Sequence, residues 1–297
     1  MPTPERNPRT FSSRKRLRAA GVFAVLIAVT VAVTLTGFAQ AAPGGSSVKD
    51  VAAKTTSPSL PAITKPGASG GISRSITVVG VGDSVTSGQN CSCAPFVAMY
   101  ASDLASTRGL NTSAVNLGVS GWTSAQLLAA MTKPGTFRDQ ISKADILLVT
   151  IGANDLLPLE GKQPAGCPAT CYGPLVDSVG HNVQLIVAAA RAAHPDHPPT
   201  ILVTDYWNVF QDGDVGTAEN GGDFQSWSDA LTRAESNSIC SAARGAGATC
   251  VGLYAPFKGN GSKNPTSLLA ADGDHPNSVG HELIASTLLA NTPQPIP

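Results

Sequence analysis

The sequence has 297 residues, and its 20 Lys and Arg residues balance its 20 Asp and Glu residues. Residues 1–41 hold six of the basic residues and one acidic residue, which leaves 14 basic against 19 acidic residues in the remainder. A net charge near −5 over that remainder argues against a nucleic-acid-binding protein, which would carry a basic face.

Residues 1–41 have the pattern of a secretory signal peptide. A basic stretch precedes a run without any charge from Ala19 to about Phe38, and the small residues of Ala39-Gln40-Ala41 follow. This order predicts cleavage after Ala41 and therefore a secreted, extracellular protein. The alternative is a retained membrane anchor over residues 19–38 with the rest of the chain outside the cell, because about 20 apolar residues can span a bilayer.

Residues 42–73 are rich in Pro, Ser, Thr, Ala and Gly and have no periodic apolar pattern. Such a segment buries too little surface to offset its loss of conformational entropy, which predicts a flexible linker. Residues 74–297 remain as one domain, long enough for a sizeable core.

Short apolar runs alternate with helical patterns throughout this domain. The runs, most of them rich in Val and Ile, are typical of strands buried on both faces. The alternation predicts an α/β fold, a three-layer α/β/α sandwich with a five-stranded parallel sheet. In chain order the predicted elements are strand Ile76–Val81, helix Pro95–Thr107, strand Ala114–Leu117, helix Thr123–Met131, strand Ile146–Ile151, helix Leu175–Ala193, strand Thr200–Thr204, helix Phe224–Arg244, strand Thr249–Leu253, and a last helix capped by Asn277 that runs to about Leu289.

All six cysteines lie in the predicted domain, and an even number in an exported chain indicates disulfides. Fifteen pairings are possible, of which sequence-local pairing is the simplest. That pairing joins Cys91 to Cys93, Cys167 to Cys171 and Cys240 to Cys250, although the first would close a very tight ring. The alternative, a zinc site, fits these spacings poorly because no histidines cluster with them.

Candidate catalytic residues follow the predicted strands. The first strand leads into Gly82-Asp83-Ser84-Val85, the second into Gly118-Val119-Ser120-Gly121, and the third into Gly152-Ala153-Asn154-Asp155. Asp272-Gly273-Asp274-His275 lies near the C-terminus. Ligands of parallel sheets bind outside the carboxyl ends of the strands, so these residues are expected to meet at one edge.

The four motifs together, over residues 76 to about 290, resemble the SGNH hydrolase superfamily, also called GDSL-type esterases and lipases, in an actinobacterial-type secreted form. The resemblance implies a flavodoxin-like fold and a serine nucleophile at Ser84. It implies a charge pair of Asp272 and His275, and oxyanion donors at Ser84, Gly121 and Asn154. Val85 stands where the family has leucine, a change that leaves the catalytic atoms untouched.

These residue types suit ester hydrolysis. A serine hydroxyl needs a base to become a good nucleophile, and a histidine oriented by a carboxylate supplies one. Asp272 is preferred over Asp274 as that carboxylate, because side chains of adjacent residues usually point apart. The resemblance implies neither a metal nor an organic cofactor.

The predicted function is therefore that of a secreted carboxylesterase or lipase, acting as a monomer on a small-molecule ester or lipid. An acetyl-carbohydrate esterase is an alternative within the same chemistry. A non-catalytic cell-wall or carbohydrate-binding module on the same fold is the alternative from another class.

Further residues are expected to support or shape the site. Asp83 and Asp155 are expected to hold their turns through hydrogen bonds to backbone. His281 is expected to be structural or exposed on the last helix. Three long loops, 156–173, 206–223 and 254–271, are expected to shape specificity, and Trp122, Trp207 and Phe210 could form apolar walls or simply pack in the core.

Overall fold

The computed structural model describes residues 75–160 and 166–296. The predicted signal peptide (1–41) and linker (42–73) lie outside the described residues and stay predictions. In chain order the elements are β1 Ser75–Gly82, α1 Ser84–Ser87, α2 Phe96–Arg108, β2 Asn111–Gly118, α3 Ser124–Thr132, α4 Thr136–Ile141, β3 Ile146–Thr150, α5 Ala153–Leu156, α6 Ala169–Ala192, β4 Thr200–Thr204, α7 Gly213–Gly245, β5 Thr249–Val251, α8 Tyr254–Lys258 and α9 Ser278–Ala290, with single 3₁₀ turns at Leu157–Leu159 and Thr266–Leu268.

The strands form one parallel sheet in the order β2-β1-β3-β4-β5. Helix α2 packs against α9, α6 packs against both α3 and α7, and helices cover both faces of the sheet. The predicted α/β/α sandwich with five parallel strands is confirmed, and the strand order is the flavodoxin-like one. The order reverses between β1 and β3, which opens a crevice at their carboxyl ends.

The core lies on both sides of the central strands. Every residue of β3 is buried, and β1 is buried from Val78 to its end. Long runs of Val, Ile and Leu suit strands that helices cover on both faces, so this part of the burial prediction is confirmed.

Strand β2 is an exception, and the prediction of burial on both faces is wrong for it. The strand is longer than predicted, and Ser113, Ala114 and Asn116 are exposed. It is one of the two edge strands of the sheet and pairs only with β1. An edge strand has a neighbouring strand on one side only, so it is less covered than a central strand. The apolar residues of β2 do not reveal that it lies at the edge, and the prediction of burial therefore fails.

Two helices begin earlier than the sequence predicts. Helix α6 begins at Ala169, and α7 begins at Gly213 and is interrupted at Gly221, whose φ is 79°. The side chain of Asp212 caps the start of α7 by accepting a hydrogen bond from the backbone of Gly213. All three predicted loops contain helical turns, because α6 and α7 begin in the first two and the third contains α8 and the 3₁₀ turn at Thr266–Leu268.

The six cysteines form the three sequence-local pairs that the spacing favours. Cys91 is bonded to Cys93, Cys167 to Cys171, and Cys240 to Cys250. Over the part of the chain that the structure describes, no helix is both long and apolar enough to cross a membrane.

Candidate active site

Four of the five predicted site residues line one cavity of about 390 Å³ at the carboxyl edge of the sheet. Ser84, Gly121, Asn154 and His275 all contribute to its wall. They arrive from four places in the chain: the ends of β1, β2 and β3, and the segment before α9. The parallel register, in which Gly82 pairs with both Gly118 and Thr150, brings the three strand ends to one level.

Ser84 is the first residue of α1, immediately after β1. The turn needs glycine at position 82, where φ is 145° and a Cβ would collide with the backbone carbonyl of Thr150. The Asp83 carboxylate caps α1 by accepting a hydrogen bond from the Val85 N–H at 3.0 Å. The predicted support of this turn by Asp83 is confirmed, and it leaves Ser84 half-buried at the cavity wall.

Beneath this turn lies a buried polar cluster that the sequence did not reveal. Asp83 is completely buried, and the Tyr206 hydroxyl donates a short hydrogen bond to its Oδ2. Burial raises the pKa of Asp83 to about 6 despite the hydrogen bond from Tyr206. Because Tyr206 also lines the cavity, it connects the cavity wall to the residue before the predicted nucleophile.

The predicted oxyanion donors meet at the cavity. Gly121 has φ 81°, and a Cβ there would meet only open space. The Asn154 Nδ2 donates to the Trp122 carbonyl at 2.9 Å, which ties the end of β3 to the segment after β2. An amide nitrogen carries two hydrogens, so Asn154 retains a second donor.

Asp155 joins the same two segments from beneath. Its carboxylate accepts hydrogen bonds from the Ser124 N–H at 2.8 Å and from the Ser124 hydroxyl at 2.7 Å. Burial raises the pKa of Asp155 above its usual range. The expected hydrogen bond to backbone is confirmed, although its donor is the start of α3 and not Asp155's own turn.

His275 is 8% exposed, and its Nδ1 lies 2.7 Å from Asp272 Oδ2 and 3.7 Å from Asp274 Oδ2. Only the first distance is that of a hydrogen bond. Burial acts to raise the pKa of Asp272, but hydrogen bonds from Asn90 and His275 outweigh it and leave that pKa below its usual value. Asp272 is thus the carboxylate that holds the imidazole, with an ionised form well suited to that contact.

With Nδ1–H directed at Asp272, the Nε2 of His275 is free to act as a base. Within the described ranges no hydrogen bond links His275 to Ser84, although both line the cavity. Such contacts commonly tighten only when substrate is bound. Burial raises the pKa of Asp274, which also lines the cavity, to about 6.

The aromatic residues divide between the cavity and the core. Trp207 lines the cavity and stacks on Phe257 with ring centroids 4.2 Å apart. Phe210 packs against Phe224 and Trp227, so it has the packing role that the sequence left open. Trp122, the last of the three aromatic residues expected near the site, packs against Phe137.

One group of potential metal ligands occurs among the described residues, formed by Cys91, Cys93 and His281. It is poorly suited to a metal because the two sulfurs are bonded to each other. The Phe96 N–H donates to His281 Nδ1 at 3.3 Å, so Nε2 carries the ring hydrogen and offers no lone pair. His281 is fully buried, which makes it the structural residue of the two expectations.

The sequence matches the family model of the GDSL-like Lipase/Acylhydrolase family over residues 81–283. No curated protein sequence matches the chain.

Several solved structures have the same fold. The lipase Lip_vut3 from a goat rumen metagenome is 20% identical with a TM-score of 0.58, over 73% of this chain and 97% of that one. The lipase/acylhydrolase from Enterococcus faecalis is 18% identical with a TM-score of 0.50, over 72% and 94%. The acetylxylan esterase Axe2 from Geobacillus stearothermophilus is 18% identical with a TM-score of 0.50, over 73% and 93%. At such identities the structural matches establish the fold alone.

Proposed function

Because this chain belongs to the GDSL-like lipase/acylhydrolase family and is a carboxylic ester hydrolase, we propose that it acts outside the cell through an acyl-serine intermediate on Ser84. One observation carries the mechanistic part. Ser84 and His275 line the same cavity, and Asp272 holds the far nitrogen of the imidazole at 2.7 Å. Nucleophile, base and orienting carboxylate are the three parts that serine catalysis requires.

In the first half of the reaction, Ser84 Oγ attacks the ester carbonyl carbon while its proton passes to His275 Nε2. The resulting oxyanion accepts hydrogen bonds from the backbone N–H groups of Ser84 and Gly121 and from the Asn154 amide. Each such donor contributes about 3–4 kcal/mol to stabilising the transition state. The C–O bond to the alcohol then breaks, and His275 returns the proton to the departing alkoxide.

In the second half, His275 removes a proton from water, and the resulting hydroxide attacks the acyl-serine. The acid leaves as the Ser84 oxygen regains its proton. Asp272 keeps the imidazole in the required tautomer throughout and stabilises its charged form.

Both lipid and short acyl esters suit a cavity of about 390 Å³ with mixed polar and apolar walls. An acetylated sugar is the second candidate, because polar side chains such as Gln89 and Asn208 lie among the wall residues. Because an acetylxylan esterase has the same fold, acetylated xylo-oligosaccharides are the sugar esters to test beside the lipid and short acyl esters.

The test uses protein recovered from the culture medium of cells that express the full chain. We expect its N-terminus to be Ala42, and we expect it to hydrolyse p-nitrophenyl acetate or butyrate. Ser84→Ala should be exported equally well and lose at least 10³-fold in kcat, with an unchanged circular-dichroism spectrum. Ser120→Ala is the matched control, a serine of the same cavity wall outside the proposed mechanism.

Different outcomes contradict different parts of the proposal. Wild-type turnover by Ser84→Ala contradicts the mechanism, and a protein that keeps residues 1–41 and stays with the membrane contradicts cleavage. A wild-type protein that binds acetylated sugars without turning over any ester favours the binding-module alternative. A panel of acyl chain lengths and acetylated xylo-oligosaccharides then defines the substrate class.

A further inference from the structure

The segment between α1 and α2, residues 88–94, is here called the bridge loop. Over the described part of the chain, the only residues other than glycine with positive φ are Asn90 at 60° and Ser92 at 53°. They flank Cys91, which is bonded to Cys93. Left-handed backbone at non-glycine residues persists only where its surroundings enforce it, and such residues are concentrated at functional sites.

The side chain of Asn90 reaches the proposed catalytic carboxylate. Its Nδ2 donates to Asp272 Oδ2 at 2.5 Å, the same oxygen that lies 2.7 Å from His275 Nδ1. The other oxygen, Oδ1, accepts the backbone N–H groups of Asp274 and His275, both at 3.1 Å. Asn90 is therefore the one donor to this carboxylate that comes from outside residues 272–275 among the described residues.

The bridge loop is attached to the nucleophile's helix at its beginning. The backbone N–H groups of Gly88 and Gln89 both donate to the Ser84 carbonyl, at 3.1 and 3.0 Å. Gln89 also lines the cavity. One short segment thus connects the proposed nucleophile to the carboxylate that orients its base.

The far end of the loop lies against α9. A ring nitrogen of His281 and the sulfurs of Cys91 and Cys93 all lie within 4.8 Å of one another. The Nδ1 of this buried histidine accepts the Phe96 N–H at the start of α2. The bridge loop is therefore hydrogen-bonded to α1 before Asn90 and lies close to the buried His281 after it, which restricts where the Asn90 amide can point.

We propose that Asn90 is a positioning residue for ester hydrolysis, held against Asp272 by the Cys91–Cys93 bridge. This inference rests on the proposed function. Asn90 acts through Asp272: its amide fixes the rotation of the carboxylate, and the carboxylate fixes the imidazole of His275. Substrate binding does not depend on this contact, so the effect is on kcat and not on KM.

The first test is Asn90→Gly. Glycine adopts positive φ without strain, so the variant removes the amide and keeps the loop conformation. A hydrogen bond to a charged group contributes enough free energy to change a rate constant about tenfold. Asn90 is exposed to solvent, which reduces this contribution. We expect kcat to fall about five- to tenfold with KM within about twofold of wild type. Ser92→Gly, at the other positive-φ position, is the matched control and should leave kcat within about twofold.

A double-mutant cycle distinguishes positioning from a general structural role. In an Asp272→Ala background the Asn90→Gly change should have no further effect, because the acceptor of its hydrogen bond is gone. A structural role would lower kcat by the same factor in both backgrounds. Wild-type kcat in Asn90→Gly, or equal losses in both backgrounds, would overturn the inference.

Removing the bridge tests the second half of the inference. Cys91→Ser/Cys93→Ser should lower kcat about as much as Asn90→Gly does, and combining the changes should add little. A bridge-free variant with wild-type kcat would show that the bridge does not hold Asn90.

A titration of the Asp272 carboxyl by NMR gives a readout that needs no turnover. The Asn90→Gly change should raise the pKa of Asp272, because it removes a donor that stabilises the ionised form. An unchanged pKa contradicts the contact itself. An inactive wild-type enzyme contradicts the proposed function, and this titration still decides whether Asn90 acts on Asp272.

Discussion

At the scale of single residues, the two carboxylates beside His275 differ in distance. Asp272 lies at hydrogen-bond distance from Nδ1 and Asp274 lies 1 Å further away, at 3.7 Å against 2.7 Å. Asp272→Ala should therefore lower kcat by at least 100-fold, because the imidazole loses its orientation and the partner of its charged form. Asp274→Ala should cost less than about tenfold, since it removes no hydrogen bond to the ring.

Steady-state kinetics on a p-nitrophenyl ester, with both variants checked for folding by thermal melting, measure this difference. Asp274→Ala serves as the matched control for Asp272→Ala because both remove a carboxylate from the same turn. A greater loss at Asp274 would mean that substrate binding rearranges the turn and that Asp274 orients the base.

The site residues could be predicted from sequence to the extent that they follow strands. Ser84, Gly121 and Asn154 each come after a run of apolar residues, and parallel strands present their carboxyl ends at one edge. Asn90 carries no comparable signal, and its partner Asp272 lies 182 positions away in sequence. Tyr206 does follow a strand, β4, but nothing in the sequence indicates that its hydroxyl donates to Asp83, 123 positions away.

At the scale of elements, helix α7 presents a buried acid to the end of β3. Glu235 is 0% exposed, and neither of its carboxylate oxygens has a hydrogen-bond partner among the described residues. Its Oε1 lies 2.6 Å from where a Cβ would stand on Gly152, two residues before Asn154. Burial, and then the charges of Asp155, Asp83 and Asp205, raise the pKa of Glu235 well above its usual value.

A raised pKa for an acid makes the folded state the better proton binder, so its stabilising contribution is complete below the usual pKa of about 4.5 and declines as pH rises. Asp83 and Asp205, with pKa values of about 6, add the same trend below that pH. Above about pH 6, Glu235 should dominate this trend, at up to about 1.4 kcal/mol of unfolding free energy per pH unit.

Glu235→Gln removes this titration and keeps the shape of the side chain. Urea unfolding at several pH values should show a flatter profile for the variant than for wild type above pH 6. Glu219→Gln, an exposed residue of the same helix, should follow the wild-type profile. Identical slopes for wild type and Glu235→Gln would mean that Glu235 ionises without penalty in the folded protein.

The elements also differ in how well the sequence predicts them. The sequence predicts β1 and β3 with small boundary errors, because their buried runs are composed of β-branched and apolar residues. It does not predict the start of α7, because residues 213–222 contain four glycines, which normally oppose helix formation. It does not predict the exposure of β2 either, because strand order is a property of the whole sheet.

At the scale of the whole molecule, the fold explains why the chemistry lies where it does. The crevice between β1 and β3, where the strand order reverses, receives the predicted nucleophile from one strand and the amide of Asn154 from the other. The segment before α9 brings His275 over this crevice, and the bridge loop brings Asn90 behind Asp272. Residues far apart in sequence thereby converge on one cavity.

The most direct test of the account is covalent labelling of the nucleophile. A p-nitrophenyl alkylphosphonate phosphonylates a serine that a base activates: the serine oxygen bonds to phosphorus, and p-nitrophenol leaves. Intact-mass and peptide mass spectrometry of the treated protein should find one adduct, on Ser84. Ser84→Ala should remain unlabelled, and His275→Ala should react at least 100-fold more slowly. An enzyme that hydrolyses esters while its label appears on another residue would contradict the central claim that Ser84 is the nucleophile.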